Sequence, residues 1–190
     1  LVPLPGHTGM LVNKALKLAR LQQQANADKT LALFFWNHPP GEHNMGASNL
    51  NVPRSLEYLV KALIADGYAV TPVTEQAIID AAGQMLSPAY RGEGVAELMA
   101  TDLWGFLPLR DYQRWFATLP QAVQDEVNGF FGPAAQSYWV SEHQGEPGFV
   151  IPRLQLGRLT ILPQPKRGEP GQDDSQLYHD TKVPLNHAYM

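Results

Sequence analysis

The stretch FFWNHPPGEHNMGASNLNVP, residues 34–53, carries His38, Glu42 and His43 together with Asn37, Asn44 and Gly46, between an apolar run and the start of a helix. Imidazole and carboxylate are the usual ligands of borderline divalent metals, and both accept protons near neutral pH. His38, Glu42 and His43 are therefore candidate metal ligands or proton acceptors. In a plain solvated loop the same polar groups would only cap the following helix. Gly41 and Gly46 stand five apart, after a strand and before a helix, which is the frame of a phosphate loop, but position 47 is Ala where that loop needs Lys. Only backbone N–H groups at the helix start are left to hold an anion. RGEGVAE, Arg91–Glu97, supplies the first two glycines of a dinucleotide fingerprint but follows no strand. Glu142-His143, His179 and His187 read, on local sequence, as solvated positions.

The elements that must position these residues follow from periodicity. Residues 9–23 read as an amphipathic helix, with Leu11, Ala15, Leu18 and Leu21 on one side and Lys14, Lys17 and Arg20 outside. Thr30–Trp36 is an apolar run of strand length ended by Pro39-Pro40. Asn51 and Pro53 cap and open a helix in which Leu56, Leu59, Val60, Leu63 and Ile64 repeat at helical spacing, and Gly67 ends it. Tyr68–Val73 reads as the next strand, so a parallel strand-helix-strand unit with a right-handed crossover is expected, its loop 37–51 at the carboxyl edge. Thr74 caps a further helix through Ile78, Ile79, Ala82 and Met85. From Gly92 to Gly132 the reading is all-helical, with the aromatic stripe Tyr112, Trp115, Phe116 as core. GFVIPRLQLGRLTILPQP reads as two short strands turning near Gly157-Arg158, and Lys166–Asp174 as polar loop.

The expected fold is thus α/β: residues 1–88 an α/β unit, residues 89–148 a helical insertion, and residues 149–190 a β hairpin, a polar loop and the start of a helix at Pro184. The absence of an initial Met and the helix that opens at the last residues suggest a piece of a larger multidomain protein. A net charge of −4 with no basic run argues against nucleic-acid binding. With no cysteine there is neither disulfide nor thiol nucleophile, which fits a cytoplasmic protein. No apolar run reaches the length of a membrane span.

Two segments carry a family resemblance. KTLALFFWNHPPGEHNMGASNLNVPRSLEYLVKALIADGYAV resembles the CobN family, the cobaltochelatase large subunits, which also includes the H subunit of magnesium chelatase. The shared features are Asn37-His38-Pro39-Pro40, Asn44-Met45-Gly46 and Gly67-Tyr68-Ala69-Val70. GFVIPRLQLGRLTILPQPKRG and LYHDTKVPLNHAYM resemble that family's Phe-Val-Ile-Pro strand, its Gln-Pro-x-Arg-Gly turn and its Tyr-His and Pro-x-x-His-x-Tyr stretches. His38, Glu42 and His43 depart from the family pattern. Gln164–Gly168 and Tyr178-His179 are more similar to the cobalt branch than to the magnesium branch.

The resemblance implies a ligase that forms nitrogen–metal bonds, an ATP-dependent cobaltochelatase inserting Co(II) into a corrin on the way to cobalamin. ATP would be hydrolysed by partner AAA+ subunits and not bound here. A magnesium chelatase acting on protoporphyrin, or a non-catalytic scaffold docking the ATPase subunits, are the other readings. By resemblance His179, His187 and Gln164 are candidate catalytic groups, and Asn37, Asn44, Gly46 and Arg167 candidate substrate-binding groups, Arg being suited to ring carboxylates. In the first turn of a helix His187 would be held neutral, the form that binds a metal or takes a pyrrole proton. Alternatively it packs against a neighbouring domain. The 190-residue chain alone is expected to be inactive.

Overall fold

The structure, a computed structural model, describes residues 6–36, 41, 45–47, 49–168, 177, 180 and 182–190. Helix α1, His7–Gln23, forms where helical periodicity places it, but none of its residues is buried. Strand β1, Leu31–Phe35, follows. The short strands β2, Gly46–Ala47, and β3, Leu50–Asn51, pair antiparallel and lead directly into α2, Val52–Ala65. Asn51 caps α2 as expected, its side-chain oxygen accepting from the Arg54 N–H at 3.0 Å. Leu56 and Val60 are buried under α2. Helix α3, Glu75–Arg91, starts at the Thr74 cap and buries Ile78, Ala82 and Met85.

After α4, Val95–Met99, the chain departs from the all-helical expectation. Trp104–Pro108 is a strand, β4, followed by α5, Leu109–Phe116, and α6, Gln121–Phe131. Gly105 and Pro108 are poor helix residues, and this stretch instead pairs antiparallel with β6, Glu146–Pro152, which also pairs with β5, Val140–His143. Strand β7, Leu154–Leu156, and β8, Leu159–Pro163, form the expected hairpin turning at Gly157-Arg158.

The α/β class holds, with a parallel strand pair in the sheet ordered β1-β8-β7, but the partner differs from the expected one. β1 lies parallel to β8, in register from Leu31 opposite Leu159 to Phe35 opposite Pro163. Tyr68–Val73 is not a strand. Val70 N–H closes a tight turn onto Tyr68 O, and the segment instead meets the hairpin turn through Arg158 N–H to Ala69 O at 2.9 Å and Thr71 N–H to Leu156 O at 3.3 Å. Pro72 has no N–H with which to extend that contact into a ladder. Gly157 makes the approach possible: its φ is +61°, and a Cβ there would stand 2.6 Å from Ala69 O.

One core gathers β1, β7 and β8 with α2, α3 and α4. A second gathers Leu109, Tyr112 and Phe116 of α5 with Val127 of α6 and Phe149 of β6. Trp139 packs against both.

Candidate functional site

Side chains alternate across a strand, and on β1 that alternation separates core from cavity. Leu31, Leu33 and Phe35 join the core, whereas Phe34 and the following Trp36 face the other way and stay 62% and 48% exposed. With Leu162, the register partner of Phe34, they line a cavity of about 980 Å³. Its lining takes the last residues of β1 and β8 and those that follow them, so it sits toward the carboxyl ends of this parallel pair, where open α/β sheets take ligands. Its remaining walls come from the end of α3, from Tyr112 and Trp115 of α5, from β6, and from residues 187–190. The volume is at the upper end of ordinary small-molecule pockets, enough for a large planar ligand. Asp111 and Lys166 are the charged residues among its described walls. Lys166 Nζ stands 4.8 Å from the Tyr90 ring centroid, and Asp111 is 3.3 Å from Arg114.

The polar part of the wall is built by two segments tied together. The Gln164 N–H continues the β1–β8 ladder to Phe35 O at 3.0 Å, and its side-chain Nε2 donates to Tyr189 Oη at 2.6 Å. Buried Asn186 fixes Tyr189 in turn, accepting from the Tyr189 N–H through Oδ1 at 2.8 Å. The Nδ2 of the same side chain donates to Lys166 O, Arg167 O and Gly168 O at 2.9, 3.1 and 3.2 Å. Arg167 Nη2 adds donors to Val183 O at 2.6 Å and Asp180 O at 3.3 Å. The helical turn expected from Pro184 therefore begins later, with Asn186 as its cap and the Met190 N–H closing onto Asn186 O at 3.0 Å.

His187 is 3% exposed and both ring nitrogens are engaged. Gly132 O can only accept, so Nε2, 2.8 Å away, carries the proton. In the neutral ring Nδ1 then accepts from the Tyr112 hydroxyl at 2.8 Å. Burial pushes the Tyr112 phenol up to about 12, so it remains a donor at neutral pH. The imidazole also meets the rings of Tyr112 and Phe116 edge-on, at 5.7 and 5.3 Å between centroids.

Of the residues singled out from sequence, Gln164 and His187 meet at this cavity. Gly46 lies in the β2–β3 ribbon beside Ala47, which lines the cavity. Arg167 ties its own turn to the 180–183 segment. Asn37, His38, Glu42, His43, Asn44 and His179 lie outside the described residues. His143 packs on the rings of Trp104 and Phe106, at 4.9 and 5.3 Å. The glycines of RGEGVAE serve chain geometry: Gly92 ends α3 and Gly94 precedes α4, both left-handed. Among the described residues no group of three or more His, Asp or Glu could hold a metal ion, and no helix is long and apolar enough to cross a membrane. Sequence reasoning missed Phe34 and Trp115 as wall residues and Asn186 as the tie. The three-residue spacing from Asn186 to Tyr189, that of a side-chain cap, was the available signal.

The chain is thus of the mixed α/β class, with an apolar cavity toward the carboxyl ends of a parallel strand pair. A family model described as CobN/Magnesium Chelatase matches residues 1–190, and the chain belongs to that family. It is 28% identical over 182 residues to an uncharacterized protein of Methanocaldococcus jannaschii, covering 95% of this chain and 14% of that one. It is 24% identical over 190 residues to the aerobic cobaltochelatase subunit CobN of a Sinorhizobium species, covering 99% of this chain and 14% of the relative. The catalytic subunit of cobaltochelatase from Mycobacterium tuberculosis superposes with a TM-score of 0.72 at 28% identity, over 99% of this chain and 15% of that chain. The chain thus spans 14% of the length of the two curated relatives.

Proposed function

We propose that this chain forms part of the ring-binding large subunit of an ATP-dependent cobaltochelatase, a ligase that inserts Co(II) into a corrin precursor of cobalamin. The observation that carries the reading is the apolar cavity of about 980 Å³ at the carboxyl edge of β1 and β8, in a chain of this family. A tetrapyrrole has a broad apolar face and a polar rim, and the described walls of the cavity are apolar, with the Gln164–Tyr189 amide–hydroxyl pair and the charged Lys166 and Asp111 among them. Cobalt is favoured over magnesium because two of the relatives carry cobaltochelatase names. The Gln164–Gly168 turn is also more similar to the cobalt branch.

Insertion must strip the ligands of the entering metal and remove ring N–H protons. In this reading the cavity walls exclude water and orient the ring, and Gln164, held by Tyr189, presents its amide at the rim. Arg167 and His187 act as ties that keep this wall in place. His179, with His38, Glu42 and His43, is proposed to supply proton-accepting or metal-handling groups, and Asn37, Asn44 and Gly46 to contact the ring. AAA+ partner subunits would hydrolyse ATP, in keeping with a Gly41–Gly46 loop that lacks its lysine.

The test is an absorbance titration of the full-length subunit with a metal-free corrin and with protoporphyrin, followed by an insertion assay with partner ATPase subunits and Co(II) or Mg(II). Saturable corrin binding and cobalt insertion are expected. Binding of neither ring would refute the reading, and insertion of magnesium into the porphyrin alone would move it to the other branch.

A further inference from the structure

The geometry points to Phe34, Trp36 and Trp115 as specificity-determining residues that stack on the conjugated face of the bound macrocycle. They would select a delocalised ring over an equally large apolar molecule that has none. This inference rests on the reading that the cavity takes a tetrapyrrole.

All three line the cavity, yet they remain 62%, 48% and 42% exposed, and none belongs to either core cluster. Large aromatic side chains dominate the energetics of buried and contact surfaces, so three partly exposed ones lining one cavity give it an aromatic wall suited to a flat ring. Their placement is set by rigid elements. Phe34 stands on β1 and Trp36 directly follows its last residue, about 7 Å further on at two residues' rise, and both line the same cavity. Trp115 rides on α5 beside Tyr112, at 5.6 Å between ring centroids. Tyr112 is in turn fixed by its hydrogen bond to His187. A delocalised ring gains from offset or edge contact with such side chains beyond the area it buries. A saturated molecule of the same size gains only the area.

The experiment uses the full-length subunit and two probes, protoporphyrin and a metal-free corrin with free carboxylates. Binding is followed by the ring's own absorbance, and hydroxyl-radical footprinting of the unmodified subunit is read at single residues. Phe34, Trp36 and Trp115 should become protected when ring is added, whereas Tyr58, 65% exposed on α2 and outside the cavity, should not. Trp36→Leu and Trp115→Leu should each weaken ring binding about tenfold and diminish the shift of the ring's absorption band. Trp36→Phe and Trp115→Phe should recover most of the affinity, because they keep an aromatic face. If both rings bind the unmodified subunit but the three residues stay unprotected, or if the Leu variants bind with unchanged affinity and band shift, the stacking surface is overturned while the tetrapyrrole reading stands. If the unmodified subunit binds neither ring, both are overturned. The footprinting arm needs no variant, so a variant that fails to fold leaves the proposal testable.

Discussion

Asn186 uses both ends of its amide on structure, capping Tyr189 with its oxygen and holding three carbonyls of residues 166–168 with its nitrogen. Asn186→Ala should therefore cost about 1–3 kcal/mol locally, the penalty for leaving buried acceptors unpaired. Faster amide exchange is expected in residues 164–168 and 186–190 of the full-length subunit. His187 is committed in the same way, to Gly132 O and the Tyr112 hydroxyl. For His187→Gln the expected outcome is a fall in insertion accompanied by loss of stability and ring affinity. A large fall in rate with both preserved would instead assign His187 a proton or metal role. Tyr112 supplies the pH dependence. Its folded pKa, about 12, lies above the ordinary 10, so its contribution is complete below pH 10 and is lost as pH rises toward 12. Phenolate absorbance should show a late-titrating tyrosine that Tyr112→Phe removes.

Among the elements, the β7–β8 turn is the most exacting. Gly157 combines a left-handed backbone with a close approach to Ala69 O, so an added methyl meets both strain and a backbone oxygen. Gly157→Ala is expected to destabilise by about 2–4 kcal/mol, the sum of backbone strain and a displaced contact. Arg158→Ala is the control, because Arg158 meets Ala69 through its backbone N–H and would lose only an exposed guanidinium bond to Asp28 O. Amide exchange at Arg158 and Thr71 in the full-length subunit reads the effect of Gly157→Ala, and unchanged protection would show that the turn yields without strain. Helix α1 is the opposite case. Among the described residues it buries none of its own, and its apolar Leu11, Leu16, Leu18 and Leu21 stand about half exposed or more, so packing within this chain gives it little support.

At the scale of the whole molecule, the described residues bring a cavity wall together but no metal-holding cluster. The isolated 190-residue chain spans 14% of the length of its curated relatives and lacks a phosphate-loop lysine at position 47, so it is expected to show no metal insertion with ring, metal and ATP supplied; turnover by the chain alone would overturn the proposed division of labour between subunits. Much of the architecture was legible in the sequence, because it is local. The Asn51 and Thr74 caps, the stop at Gly67, the apolar faces of α2 and α3 and the Gly157-Arg158 turn each follow from a few neighbouring residues. The α/β class followed from their order, and the motifs at Gln164–Gly168 and at His187 marked two segments that do meet. What only the tertiary structure decided is long-range pairing. β1 could not announce β8, which follows some 120 residues later, as its parallel partner, and Tyr68–Val73 has a strand's composition but Pro72 in its path. β4 was hidden because short apolar runs fit a helix or a strand equally, until β6 supplies the ladder. The cavity belongs to the same category. Which of Phe34 and Phe35 enters the core and which lines the cavity is set by how the sheet packs, and no stretch of sequence contains that packing.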